Sequence, residues 1–195
     1  MDNALDLLTC LTYYPEKISE AMWTCFPAIY TSFNNGAFDY ITSMVDPIDN
    51  LIEKSPEMFL ALKDANGTRF LDLAVSIVKK VLENDAADEV ECRKSLVILA
   101  SILINCKGAV DEYLPIANHL LLTKLETTSK DQIPLTRVSI FQVLGCAFFY
   151  NAELQMQEFE KRNNNNVLMG GVVMEAWYRD ISDISKKWLA TKVSE

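Results

Sequence analysis

Apolar residues recur along most of the chain at spacings of three and four, the pattern of helices that each bury one stripe. Leu5, Leu8 and Leu11 begin the series. After Pro15, the residues Met22, Trp23, Phe26, Ile29, Tyr30 and Phe33 mark the apolar side of a second helix that Ser19 can cap. Pro27 falls inside this run. Because the period continues beyond it, a kink is expected there rather than a break. Asn34-Asn35-Gly36 ends the helix, with Gly36 suited to the left-handed cap. A third helix is predicted over residues 37–54, kinked at Pro47. It turns Phe38, Ile41, Met44, Val45, Ile48 and Leu51 inward, and Asp39, Asp46, Asp49 and Glu53 outward. Residues 55–67 read as a connection with a single turn near 57–62. Thr68 then caps a helix through Leu82 that carries Phe70, Leu71, Ala74, Ile77, Val78 and Val81 on one stripe.

The next helix, from Asp88 to about Asn105, begins acidic, as the positive end of a helix dipole favours, and closes on Lys107-Gly108. Its second half is apolar nearly all round, so it must be covered on several sides. Asp111 caps a helix carrying Tyr113, Leu114, Ile116, Leu120 and Leu121. A polar link then leads to a helix with Pro134 in its first turn, where a missing N–H costs little. From Asn151 the pattern weakens. It predicts a short amphipathic helix near residues 154–159, an asparagine-rich loop at 163–166, and a long final helix with Trp177, Ile181, Ile184 and Trp188 as its inward seam.

Two stretches repeat at about 43 residues, a spacing typical of helical repeats. Asp131 stands where Asp88 stood, Arg137 where Lys94 stood, and an apolar run follows each. Pro27 and Pro47 are about one helix apart, Pro115 and Pro134 repeat that gap, and the pairs are offset by roughly two periods. Helices in antiparallel pairs that cannot each bury their own faces define a solenoid. The expectation is an all-α fold, an α-solenoid of about four HEAT-type repeats forming one array over 1–195. The approximate repeats are 18–54, 68–107, 111–151 and 153–192, with 1–14 the second helix of a preceding repeat. In such arrays the Asp-to-Lys/Arg spacing can form a ladder between neighbours; the same residues can equally be caps and surface ions.

Composition narrows the function. A net charge of -9 argues against direct nucleic-acid binding, which needs surplus Lys and Arg to neutralise phosphates; it either favours basic partners or serves solubility alone. Cys10, Cys25, Cys92, Cys106 and Cys146 are odd in number and lie in apolar surroundings, so they read as reduced core residues of an intracellular protein. With His119 the only histidine and no Cys-x-x-Cys pair, no metal site or cofactor is expected. His119 itself reads as a half-buried, hydrogen-bonded residue. The longest uncharged stretch, residues 138–152, falls short of the roughly 18 apolar residues of a membrane span. Met1-Asp2-Asn3 has no basic region of the kind that opens a secretory signal. Asp180 and Asp183 could form an acid/base or metal pair, but a solvated helix face accounts for them as well. No phosphate loop or nucleophile elbow is present, so an enzyme is not expected.

Particular residues also carry a family resemblance. Met22-Trp23, Phe26-Pro27, Phe33, Gly36-Ala37-Phe38-Asp39-Tyr40, Lys79-Lys80-Val81-Leu82, Glu91-Cys92, Cys106-Lys107-Gly108, Pro115, Tyr150-Asn151 and Trp188 occur in this order. The set resembles the middle-to-late HEAT repeats of the importin-β superfamily, most closely the importin-seven and importin-eight branch. The resemblance implies a nuclear transport receptor. Such a receptor carries protein cargo through nuclear pores, binds phenylalanine-glycine nucleoporins, exchanges cargo through Ran-GTP, and shuttles between cytoplasm and nucleus. Receptors of this kind are several times longer, so the expectation here is a piece of one. A HEAT-type scaffold that assembles a cytoplasmic complex is the alternative.

Second helices line the concave face of HEAT arrays. On that basis Asp46, Asp49, Glu53, Asp88, Glu91 and Asp180 are the candidate acidic surface for basic cargo, where charge would mainly raise the on-rate. Phe26, Tyr30 and Phe70 are the candidate slot for a nucleoporin phenylalanine, although the same aromatics could serve as core.

Overall fold

Among the described residues of the computed structural model, which are 2–128, 134–162 and 170–179, the backbone is helical apart from turns and one isolated bridge between Lys63 and Arg69. This is the all-α, HEAT-like class that the periodicity predicts. Residues 1–110 and 111–195 form two units.

The first unit contains α1 (Asp2–Tyr13), α2 (Glu20–Trp23), α3 (Cys25–Asn34), α4 (Ile41–Lys54), α5 (Pro56–Ala61), α6 (Phe70–Leu82) and α7 (Glu89–Asn105). Helix α4 packs against α1 and α7, α3 packs beside α6, and α6 pairs with α7. The sandwiched position of α4 explains its burial. Ile41, Met44, Val45, Ile48, Leu51 and Ile52 are all fully enclosed, so their side chains fill the space between neighbours instead of one interface. The helix continues through Pro47, itself buried, whose missing N–H leaves the Ser43 carbonyl without its usual partner. A buried amide ties α4 to α1: Asn50 Nδ2 donates to Thr12 Oγ1 at 3.0 Å, and that hydroxyl donates to Leu8 O at 2.9 Å. At the end of α4, Lys54 donates to Tyr13 O and, at 2.5 Å, to Pro15 O, meeting carbonyls where α1 ends.

Helix α7 starts with a capping box. Asp88 Oδ1 accepts from Glu91 N at 2.8 Å, and Glu91 Oε2 accepts from Asp88 N at 2.8 Å, so two otherwise unpaired N–H groups are satisfied. Replacing Asp88 by alanine should therefore destabilise the first unit by about 1 kcal/mol, read from the urea midpoint, with faster amide exchange confined to the first turn of α7. Gly108, at φ 84°, takes the left-handed conformation beyond the far end of α7.

Several boundaries differ from the periodic reading. The second helix is not continuous through the stretch before Pro27, although Thr24 keeps right-handed helical dihedrals (φ -66°, ψ -19°). It breaks at Thr24 into α2 and α3, which places Pro27 in the first turn of α3, where no intrahelical N–H bond is required. Residues 38–40 form a 3₁₀ turn before α4 instead of its first turn. The cap of α6 is Arg69, because Thr68 is held in a loop by Asp64, whose Oδ1 accepts its N–H at 2.8 Å. Ser19 does occupy the cap position of α2, without a side-chain bond. Leu7 and Leu11 of α1 are exposed while Leu5 and Thr12 are buried.

In the second unit a 3₁₀ turn over Asp111–Tyr113 precedes α8 (Leu114–Thr127), so Asp111 lies one short turn before the helix it was expected to cap. Helix α9 (Pro134–Lys161) is broken at Asn151 (φ -157°, ψ 93°), whose Oδ1 accepts from Leu154 N at 3.0 Å and so caps the second half. Buried Arg137 donates to Leu125 O at 2.7 Å and Thr128 O at 3.0 Å, meeting carbonyls at the end of α8. Asn118 and Gln155 pair reciprocally at 2.9 and 2.8 Å between α8 and the second half of α9. In the helical segment 170–179 the buried residues are Val173 and Ala176. Trp177, expected to face inward, is 40% exposed. Its expected seam partners Ile181, Ile184 and Trp188 lie outside the described residues, as do Asp131, Asp183 and the 163–166 loop.

Candidate functional site

Asp46, Asp49 and Glu53 fall at i, i+3 and i+7 of α4 and so share the side of the helix away from its enclosed residues. Lys94 of α7 donates to Asp46 Oδ1 at 2.7 Å, an ion pair with both side chains more than a third exposed. Such a pair is worth at most about 1 kcal/mol, so it sets the local charge pattern more than it holds the helices together. It also reassigns the ladder. Lys94 reaches the preceding α4, while Asp88 caps its own helix. Its counterpart Arg137 is buried and donates to carbonyl oxygens.

Burial raises the carboxyl of Asp49 above the ordinary aspartate range. The Ser101 side chain opposes this, the negative charges of Glu53 and Asp46 add to it, and Lys94 opposes it. The folded state therefore holds the Asp49 proton more tightly than the unfolded chain. Stability from this group is full below the ordinary aspartate pKa and is lost as pH rises through the raised value. Asp49→Asn is accordingly expected to raise the melting temperature at neutral pH and to leave it unchanged in acid below the carboxylate range, measured by thermal scans at several pH values.

The structure brings Asp46, Asp49 and Glu53 together with Lys94. Asp88 and Glu91 sit at the start of α7, bound to each other's backbone in the capping box. Asp180 lies outside the described residues.

The expected aromatic slot is not a surface feature. Phe26 and Phe70, 1% and 3% exposed, stack with centroids 4.8 Å apart and rings 16° from parallel. Trp23 lies 6.2 Å from Phe70, and Phe59 of α5 lies 5.7 Å from Phe26. These rings fill the interior between α3, α5 and α6, and an incoming side chain could reach them only by displacing core. Tyr30 alone of the three is half-exposed, with its hydroxyl 3.5 Å from Ser76 Oγ.

The periodic reading overlooked an open apolar groove of about 350 Å³ between α1 and α3, bordered by Ala4, Leu7, Leu11, Cys25 and Ala28. Its sequence signal was a second leucine stripe on α1, at Leu7 and Leu11. His119 is exposed rather than half-buried, and its neighbour Asn118 takes the interior position. Of the cysteines, Cys92 and Cys106 are core residues, and burial pushes the Cys106 thiol up to about 11, which keeps it protonated and unreactive. Cys10 is exposed, contrary to expectation. Among the described residues no cluster of three or more His, Cys, Asp and Glu side chains could hold a metal ion, and no helix is long and apolar enough to cross a membrane.

Comparison with known proteins gives relatives named as importins. The chain is 27% identical over 165 residues to a probable importin-7 homolog of Dictyostelium discoideum, covering 84% of this chain and 15% of that protein. It is 27% identical over 161 residues to human importin-8, covering 82% of this chain and 15% of the relative. To an importin beta-like SAD2 homolog of Arabidopsis thaliana it is 22% identical over 155 residues, covering 80% and 14%. The chain thus spans about 15% of the length of the curated relatives it matches. No family model and no solved structure matches it.

Proposed function

We propose that this chain, which resembles the importin-7 and importin-8 branch of the importin-β superfamily, is a piece of a nuclear transport receptor that binds basic protein cargo for Ran-dependent import through nuclear pores. The observation that carries the reading is the similarity over about four fifths of the chain to proteins named importins, which are carriers and not enzymes. The repeat boundaries 18–54, 68–107, 111–151 and 153–192 belong to the same proposal. The packing of α4 against α1 and α7, with α3 beside α6, supports the first two of them. Phenylalanine-glycine nucleoporins and Ran-GTP are partners of the longer receptor, and its location is cytoplasm and nucleus.

The acidic side of α4 is the cargo surface in this reading. Asp49 is held partly against ionisation by burial and by its acidic neighbours, and a lysine or arginine from cargo would relieve that repulsion. Exposed Glu53 and the partly exposed Asp46 would raise the encounter rate. Asp88 and Glu91, at the start of α7, and Asp180, outside the described residues, belong to the same proposal. In the test, the full chain is immobilised and exposed to a lysine-rich cargo peptide, to phenylalanine-glycine repeats and to Ran-GTP. The peptide should bind with a steep salt dependence and a slower on-rate to the triple variant Asp46→Asn, Asp49→Asn, Glu53→Gln. Peptide binding no stronger than to an unrelated acidic helical protein would refute the cargo surface.

A further inference from the structure

The chain contains two Asn-Gly pairs, Asn35-Gly36 and Asn66-Gly67, both exposed and both with a left-handed glycine (φ 100° and 82°). In this dipeptide nothing on the glycine shields its nitrogen, which makes it the sequence most prone to attack on the asparagine side chain. The two pairs are held differently. Gly67 N–H donates to Asp64 O at 3.0 Å, and Asp64 also accepts from Asn66 N at 2.9 Å, from Asn66 Nδ2 at 3.4 Å and from Thr68 N at 2.8 Å. Every group that must move for reaction is clamped by one aspartate.

At the end of α3 the closure is incomplete. Asn35 N–H donates to Thr31 O at 3.0 Å and Ser32 O at 3.1 Å, and Ala37 N–H donates to Ser32 O at 3.1 Å. The last of these is the outer bond of a Schellman closure. The inner bond, from Gly36 N–H to Phe33 O, is not made, and Gly36 N–H has no protein acceptor among the described residues.

We propose that Asn35 is a site of spontaneous deamidation in the folded chain, while Asn66 is protected by its loop. The Gly36 nitrogen loses its proton and attacks Cγ of Asn35. The Cγ–Nδ2 bond breaks, ammonia leaves, and a succinimide ring remains. Water opens the ring at one carbonyl to give aspartate, or at the other to give isoaspartate, which routes the backbone through an added methylene. One water is consumed and one ammonia released, with no oxidant or cofactor. The product places a carboxylate at the C-terminal end of α3, where the carbonyl ends already carry partial negative charge, beside the contact in which Lys80 donates to Asn34 Oδ1.

To test this, the full chain is incubated at mildly alkaline pH, digested with trypsin, and each asparagine followed by fragment mass spectrometry, with an isoaspartyl methyltransferase and labelled methyl donor counting isoaspartate. Asn35 should convert at least about fivefold faster than Asn66, the rate equivalent of the one hydrogen bond of about 1 kcal/mol that Gly67 must first break. In concentrated urea the two rates should converge, and Asn35→Gln should remove the first signal while leaving the second unchanged. Asn66 converting as fast as Asn35 in the folded chain, or the same rate ratio in urea, would overturn the proposal.

Discussion

Phe26→Ala is expected to destabilise residues 1–110 by about 4 kcal/mol, seen as a large fall in the urea midpoint. The ring is 1% exposed and packed face to face on Phe70 and edge to face on Phe59, so alanine leaves a void that three helices border and cannot readily close. The estimate combines the lost transfer free energy with the cavity, and the loss of aromatic pairing adds to it. Phe26→Leu should recover more than half, since most of the volume returns. The same comparison decides the role of the ring. If Phe26 were an open docking slot, alanine would leave stability within about 0.5 kcal/mol and act only on binding.

Asn118→Ala is expected to cost the second unit about 3 kcal/mol, read as the change in unfolding free energy of the full chain. Asn118 and Gln155 are 1% and 0% exposed and exchange two hydrogen bonds. Truncating one strands a buried amide with both a donor and an acceptor unmet, which costs more than the bonds themselves contributed. The double variant Asn118→Leu, Gln155→Leu removes both polar groups and should be destabilised by less than the sum of its two single leucine variants, giving a coupling energy of at least about 1 kcal/mol in the mutant cycle. A double variant destabilised by the sum of the two single variants would mean that the pair is not coupled.

Much of the local structure was readable because its causes lie within a few residues. The acidic start of α7 is legible in its sequence, and the structure makes both bonds of a capping box there, between Asp88 and Glu91. Gly36 and Gly108 mark turns at positive φ, as expected. Pro27 misled for a physical reason. The apolar period runs unbroken from Met22 to Phe33, yet a break at Thr24 lets proline sit where helices tolerate it best. Phe26 and Phe70 show the limit of reading a face as a site. A stripe of aromatics says that something covers it, and only the presence of α5 over the stripe, with Phe59 directed into it, makes it core.

The sequence by itself determined the helical class, most helix positions and the acidic character of the outward side of α4, because period, caps and charge act over one or two turns. Tertiary structure decided the pairings: Lys94 with Asp46, Asn50 with Thr12, Asn118 with Gln155, and Arg137 with the end of α8. These partners stand from 9 to 48 residues apart, and a side chain's partner at that distance depends on how helices stack. A polar residue in a helix therefore looks the same in sequence whether it meets water or another amide. Packing alone made Asn118 interior and its neighbour His119 exposed.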